Sequence, residues 1–360
     1  MKRKGNFYPS VCDQSTILTA IRRASKGKRC RRDVKKVIAQ KEKYADYLHD
    51  VLSSKQFVPS EYQRATVYDG VRKKQREIFK PRFFPDQVVH WCVYIAIKDW
   101  IYKGMYEFSC GSVPSRGVHY GKKYVERWIK TDHKNTKYYL KMDVKKFYPS
   151  IKPALVMDKL KRKFKDQDLL SLIEQILSKA DGLPIGMLLS QVFANFFMTD
   201  VDHYIKQTLK AVHYIRYMDD MIVFGRNKKE LHRFRSLIAA KLTENGLTMK
   251  GNWQVCKLDC EPLDFMGFRF YRDHTALRRS VMLRITRKVK KVDKKGRAAT
   301  YGDACAVISY MGWIKHSHSH NLFETRIHPY LHLVRIKNIV RRAQNENLHK
   351  PKHGTTRRMG

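Results

Sequence analysis

The stretch IRYMDDMIVFG, residues 215–225, sets two adjacent carboxylates, Asp219 and Asp220, between two runs of strand-forming residues. Tyr, Ile, Val and Phe suit a pleated, half-buried surface, and the acids fall where such a chain reverses, so the segment reads as a β-hairpin over 214–224. Adjacent acids repel one another and gain nothing from folding. Their place at a hairpin tip reads either as a solvated turn, in which Asp is common, or as a site whose occupant needs them. The dipeptide alone does not choose.

The flanking motifs supply the rest. KYYLKMDVKKFYPSI, residues 137–151, begins as a strand and carries Asp143 ahead of Pro149. If this strand and the hairpin are neighbours in one antiparallel sheet, Asp143, Asp219 and Asp220 meet at one edge, and their repulsion is tolerable only around something doubly positive. Oxygen-only ligands with room left for phosphate oxygens suit magnesium, and paired ions clamp the attacking and leaving oxygens of an in-line phosphoryl transfer. Tyr148 is placed for its ring to lie under the sugar of a bound nucleotide, where it would clash with a 2′-hydroxyl; the plainer reading is an aromatic packed after a strand. EYQRATVYDGVRKKQREIF, residues 61–79, reads as extended arms around Asp69-Gly70, a two-residue hairpin signal. Alternation puts Lys74 and Arg76 on one face of the second arm, suited to a triphosphate or simply to solvent. DGLPIGMLLSQ, residues 181–191, reads as a loop feeding an apolar helix over 190–206. There Gly186 admits close backbone approach to a ligand, and Ser190 with Gln191 stands at the helix start to meet template or nucleotide, Ser190 reading also as an N-cap.

Lys and Arg outnumber Asp and Glu by 74 to 33 over 360 residues, a formal charge of +41 spread along the whole chain. Self-repulsion of that size calls for a polyanion, which for a globular chain with 43% hydrophobic residues means nucleic acid. Seven cysteines, of which only Cys256 and Cys260 are close, read as reduced thiols rather than as disulfides or a zinc site. No apolar run approaches about 18 residues, and MKRKGNFYPS lacks an apolar signal core, so a cytoplasmic chain with no membrane association is expected. Helical spacing of apolar residues over 34–52 predicts an N-terminal helical layer, and a second amphipathic pattern through Leu231, Phe234, Ile238 and Leu242 stops at Asn245-Gly246. WQVCKL (253–258) and LDFMGFRFY (263–271) are strand-like. Beyond Arg279 a basic run leads into a stretch where His316, His318 and His320 alternate, a spacing found in metal sites and more often on RNA-facing or packed surfaces. Strands interleaved with helices in the middle third, flanked by helical segments, give an α+β class.

Taken in order, these segments resemble the reverse transcriptases. YYLKMDVKKFYPSI is similar to their motif A, GLPIGMLLSQVFANFFMTDVD to motif B, and YMDD within IRYMDDMIVF to motif C. NGLTMKGNWQV resembles motif D, LDFMGFRF motif E, and KKQREIFKPRFFPDQVVHW with SCGSVPSRGVHYGKK the fingers motifs. The resemblance implies a right-hand polymerase fold, with N-terminal helices and fingers over 1–135, a palm built on an antiparallel sheet over 136–280, and a short helical thumb with a basic tail over 281–360. The motif B segment, 181–206, is expected beside the fingers. It further implies that Asp143 and Asp219 bind two Mg2+ ions, with Mn2+ as a substitute and Asp220 in support. Tyr148 becomes the sugar gate, and Lys74 and Arg76 become triphosphate ligands. Gly186, Ser190 and Gln191 face the nucleotide, Arg116, Tyr217, Met218 and Gly267 the template and primer. Lys250 becomes the proton donor to departing pyrophosphate, a role for which Lys257 competes. The partners so implied are an RNA template, in the form of a cognate structured noncoding RNA, a DNA or RNA primer, dNTPs, and a small basic accessory protein or another subunit of a retroelement or defence locus.

Ile185 and Gln191 depart from the commonest motif B, and the form IGxxxSQ is similar to reverse transcriptases of diversity-generating retroelements. ISYMGWIKHSHSHNLF, residues 308–323, resembles the end of those enzymes. Defence-associated bacterial enzymes share this motif B. The alternative of another class is a polymerase-like module that only binds RNA, against which the retained acids argue.

Overall fold

The computed structural model describes residues 2–69 and 74–348. The chain forms two compact units, residues 1–124 with 131–257, and residues 125–130 with 258–360.

The first unit opens with a helical layer, α1 (Tyr8–Cys12), α2 (Gln14–Ala24), α3 (Arg32–Ala39) and α4 (Lys41–Ser53). The apolar pattern over 34–52 is therefore two helices, separated at Gln40, whose ψ of 39° is not helical. Strands β1 (Gln63–Asp69) and β2 (Lys74–Lys80) form an antiparallel hairpin in which Asp69 pairs with Lys74. The Asp69-Gly70 turn expected from the sequence falls at 70–73, outside the described residues. Gly70, Arg72 and Lys73 lie outside the described residues, as does the basic tail 349–360, and of Lys74 only the backbone is described. The apolar helix α5 (Val88–Ile101) packs against α1 and α2.

The sheet that carries the acids has five strands. Its members are β3 (Ser109–Cys110), β4 (Tyr138–Asp143), β5 (Tyr214–Tyr217), β6 (Asp220–Gly225) and β7 (Gln254–Lys257), in the order β3-β5-β6-β4-β7. β3 runs parallel to β5 and the remaining pairs are antiparallel. Between strands lie α6 (Val118–Thr131), α7 (Phe147–Ser150), α8 (Pro153–Lys163), α9 (Gln167–Leu177), α10 (Leu188–Phe197), α11 (Thr199–His203) and α12 (Lys228–Glu244). The Asn227 side chain accepts from Glu230 N–H at 2.8 Å to start α12, whose buried Leu231, Phe234, Ile238 and Leu242 cover β4, β6 and β7. β6 is buried along Met221–Gly225, so the strands that end on the acids are fixed by apolar packing on which the acids themselves have no bearing.

The second unit holds a three-stranded sheet, β8 (Leu263–Phe265), β9 (Phe268–Phe270) and β10 (Thr275–Leu277), with α13 (Arg279–Lys295), α14 (Tyr301–Lys315), α15 (His320–Leu322) and α16 (Leu333–Leu348). LDFMGFRF is a hairpin here, turning at Met266 and Gly267, both at positive φ. Because β8–β10 close a sheet of their own, compactness divides the chain after Lys257, ahead of the change in charge at 280. Gly267 is required by packing, since a Cβ there would lie 2.8 Å from the Trp313 ring, which stacks on Phe268 at 5.1 Å. His318 is tied to the sheet edge, its N–H donating to the Thr275 carbonyl and its ring accepting from Thr275 N–H. None of the seven cysteines is in a disulfide. Among the described residues no helix is long and apolar enough to cross a membrane.

Candidate active site

The register of the five-stranded sheet decides the site. Asp143, the last residue of β4, pairs directly with Asp220, the first of β6, and Tyr217 of β5 pairs with the same Asp220. Met218 and Asp219 form the turn between them. Directly opposed residues of an antiparallel pair hold their Cβ atoms about 5 Å apart on one face, so two of the acids are neighbours by backbone pairing alone. Asp219 is drawn into the same group: its carboxyl is pushed up to about 6, first by burial and then by the charges of Asp143 and Asp220.

Lys250 follows β4 across the chain. Its N–H donates to the Asp143 carbonyl at 2.8 Å, and its ammonium makes an ion pair with Asp143 Oδ2. The other carboxylate oxygen, Asp143 Oδ1, is buried and has no hydrogen-bond partner. An orphaned anionic oxygen beside a half-buried carboxyl that resists ionisation is a donor set short of positive charge, and hard oxygen donors suit a hard divalent cation. Among the described residues no three His, Cys, Asp or Glu side chains stand ready around one ion. Magnesium bound by one or two carboxylates together with substrate phosphates needs no such cluster, so the residues fit the group. A cation bound at Asp143 would have to compete with Lys250. Replacing it, Lys250→Met, is expected to tighten Mn2+ binding roughly threefold to fivefold, read by calorimetry without nucleic acid. An unchanged affinity would show that the ammonium does not oppose the metal.

Tyr148 lies in α7, half-buried, with its hydroxyl raised above the ordinary phenol range by burial and then by Asp219. Its carbonyl accepts from Leu183 N–H at 3.0 Å, which ties it to the motif B loop. Gly182, one residue earlier, lies against Pro149 so closely that a Cβ would stand 2.3 Å from the Pro149 carbonyl oxygen. The motif B loop also reaches β2. Phe79 N–H donates to the Ile185 carbonyl at 2.9 Å, and Gly186, at φ 104°, comes close to the Phe79 carbonyl, where a Cβ would sit at 3.1 Å. Arg76 is exposed on β2.

Ser190 is a correction. α10 begins at Leu188, with Met187 in the cap position, so Ser190 stands inside the first turn and faces the core, fully buried and with its hydroxyl unpartnered. It does not cap the helix. Gln191, one position on, accepts from the Ser112 hydroxyl at 2.9 Å and lines a cleft of about 800 Å3 with Gly186, Phe84, Trp91 and Lys28. Arg116 donates to the Tyr106 carbonyl at 3.0 Å in the loop after β3. Gly267 belongs to the second compact unit.

The sequence reading passed over a buried network behind the acids. Arg216 is fully buried and makes a bidentate pair with Asp202 of α11, at 2.8 and 2.7 Å. Its remaining N–H groups donate to Asn195 Oδ1, Ser109 Oγ and the Met218 carbonyl. Tyr214 donates its hydroxyl to the same Asp202 at 2.7 Å. One arginine in the strand YIRY reads as solvent-facing by alternation. Only the central place of β5, between β3 and β6, shows that its polar atoms must find partners inside.

The chain matches the model of the reverse transcriptase (RNA-dependent DNA polymerase) family over residues 89–270, about half its length, and it belongs to that family. It is 31% identical over 163 residues to the retron Ec73 reverse transcriptase of Escherichia coli, which covers 40% of this chain and 52% of that one. The chain thus spans about half the length of this curated relative. Among solved structures it is similar to apo telomerase of Candida tropicalis, with a TM-score of 0.44 and 12% identity over 62% of this chain and 50% of that one. The telomerase of Candida albicans in complex with the TWJ fragment of telomeric RNA gives 0.46 and 12% over 85% and 64%.

Proposed function

We propose that the chain is an RNA-directed DNA polymerase of a bacterial or phage retroelement, copying an RNA template by two-metal nucleotidyl transfer. The observation that carries the reading is the register that sets Asp143 against Asp220 with Asp219 in the adjoining turn. Asp143 and Asp219 would hold two Mg2+ ions, with Asp220 in support. Such ions, when bound, assist ionisation of the primer 3′-hydroxyl and neutralise charge on the departing pyrophosphate. The protein's own part is to hold the reactants. Arg76 of β2, and by the sequence motif Lys74, would hold the triphosphate, Tyr148 would lie under the sugar, and the hydroxyl oxygen, its proton lost to water, bonds to the α-phosphorus as the bond to pyrophosphate breaks. Lys250 is the donor of the proton that pyrophosphate takes up. Gln191 and Gly186 line the nucleotide side of the cleft, and Arg116, Tyr217, Met218 and Gly267 face template and primer.

The charge of +41 supports a long polyanion as partner, namely a cognate structured RNA with its primer. Motif B supports the diversity-generating type. A defence-associated enzyme with its own noncoding RNA is the second reading, since that group shares the motif, and sequencing of copurified nucleic acid separates them.

Primer extension on an RNA template tests the proposal. DNA synthesis by the wild type is expected, and absence of incorporation with RNA binding intact would make the chain a binding module. In the same assay Tyr148→Ala is expected to raise ribonucleotide incorporation by roughly tenfold to a hundredfold, the size of a steric gate in a tight pocket. Unchanged discrimination would remove Tyr148 from the sugar site.

A further inference from the structure

We infer that Arg216 is a positioning residue for polymerisation, a buried fork that fixes the backbone of the Met218–Asp219 turn and so aims the Asp219 carboxylate. This rests on the polymerase reading above. Arg216 touches no substrate, and its effect passes through the main chain.

Three observations point the same way. The first is strain. Met218 sits at φ 57°, a left-handed conformation at the first residue of a tight turn where glycine is the usual occupant. A non-glycine residue held there is strained and persists only when its surroundings over-determine it. The second is what surrounds it. The Met218 carbonyl accepts from Arg216 at 2.9 Å, the Met218 N–H donates to the Cys110 carbonyl at 3.2 Å, and Asn195 Nδ2, itself bonded to the Gly111 carbonyl at 2.9 Å, contacts the Met218 sulfur at 3.5 Å. The residue before Asp219 is thus held at its nitrogen, oxygen and side chain, from β3, α10 and β5.

The third is energetic. A buried ion pair is a weak source of stability, because desolvation of both charges offsets most of their attraction, and well-packed apolar residues of the same volume serve the fold as well. The Arg216–Asp202 pair therefore needs a reason other than stability. The planar fork provides one: with two N–H groups on Asp202, the guanidinium plane is fixed, and its other edge is aimed at the Met218 carbonyl. Lysine has no such second edge. Asp202 orients the fork, Tyr214 and Ser109 complete its shell, and the turn receives the result.

The test uses the full chain and two variants. Arg216→Lys keeps the charge beside Asp202 and loses the fork. Arg216→Met combined with Asp202→Leu replaces the pair by apolar side chains and keeps the packing. Pre-steady-state single-nucleotide incorporation on a preformed template–primer gives the burst amplitude, which counts correctly folded enzyme, separately from the rate constant, which reports the placement of Asp219. Both variants are expected to retain the amplitude and the template–primer affinity, and to lose rate by on the order of tenfold to a hundredfold, the effect of a displacement of about 1 Å at the reacting centre. Mn2+ binding without nucleic acid is expected to weaken in parallel. A loss confined to amplitude, or failure of both variants to fold, would make Arg216 a structural residue only and overturn the inference. Inactivity of the wild type would instead overturn the polymerase reading.

Discussion

Asp219→Asn is expected to abolish nucleotide incorporation, by more than about a thousandfold, while RNA affinity stays within a few-fold of wild type. Asparagine keeps the shape of the side chain and removes the charge, so the turn and its tethers persist and only the ligand for the cation is lost. Under the proposed function, RNA binding would draw on the basic residues spread along the chain, to which one acid contributes little. The variant carries a second expected result. In metal-free buffer it should be more stable than the wild type by about 1 kcal/mol, because one of three mutually repelling, partly buried charges is gone, and added Mg2+ should then stabilise the wild type and not the variant. Thermal melts with EDTA and with Mg2+ read both. Equal melting in EDTA would mean that the acids do not strain the fold, and residual synthesis near the wild-type rate would remove Asp219 from the reaction.

Gly182→Ala is expected to destabilise the first compact unit by about 3 kcal/mol, at the upper end of the usual cost of overpacking. The added Cβ meets the Pro149 carbonyl oxygen at 2.3 Å and the Pro149 carbonyl carbon and Cα at 2.8 Å. All are main-chain atoms of the α7 turn, which cannot swing aside as a flexible side chain would. Relief requires the motif B loop to move off that turn, which breaks the bond from Leu183 N–H to the Tyr148 carbonyl and shifts the Tyr148 ring. A lower urea midpoint and loosened dNTP over rNTP selection should therefore appear together. Loss of stability with selection intact would mean that the loop does not position Tyr148.

Much of the sheet was legible because its strands follow simple rules. Alternating or continuous β-formers in YYLKMD and IRYMDDMIVF predict β4, β5 and β6, and the apolar face through Leu231 and Leu242 predicts α12, with Asn245-Gly246 at its end. What escaped was set by tertiary context. The depth of Ser190 depends on α10 starting at Leu188, a boundary that no cap residue announces, since the side chain of Met187 makes no capping bond. The break between α3 and α4 falls at Gln40, an ordinary helix former. The Met266-Gly267 turn was hidden because its first residue, at φ 51°, is a methionine rather than the Asn or Asp that signals such a turn. Arg216 escaped for the opposite reason: its side-chain type points to solvent, and only its central strand contradicts that.

The bond from Phe79 N–H to the Ile185 carbonyl joins the basic hairpin to the motif B loop within one unit. Neither segment can swing without dragging the other or giving up this link, so hairpin and loop behave as a single lever. A change at Gly186 would then be felt along β2 toward Arg76, and the two segments should respond to substitution together.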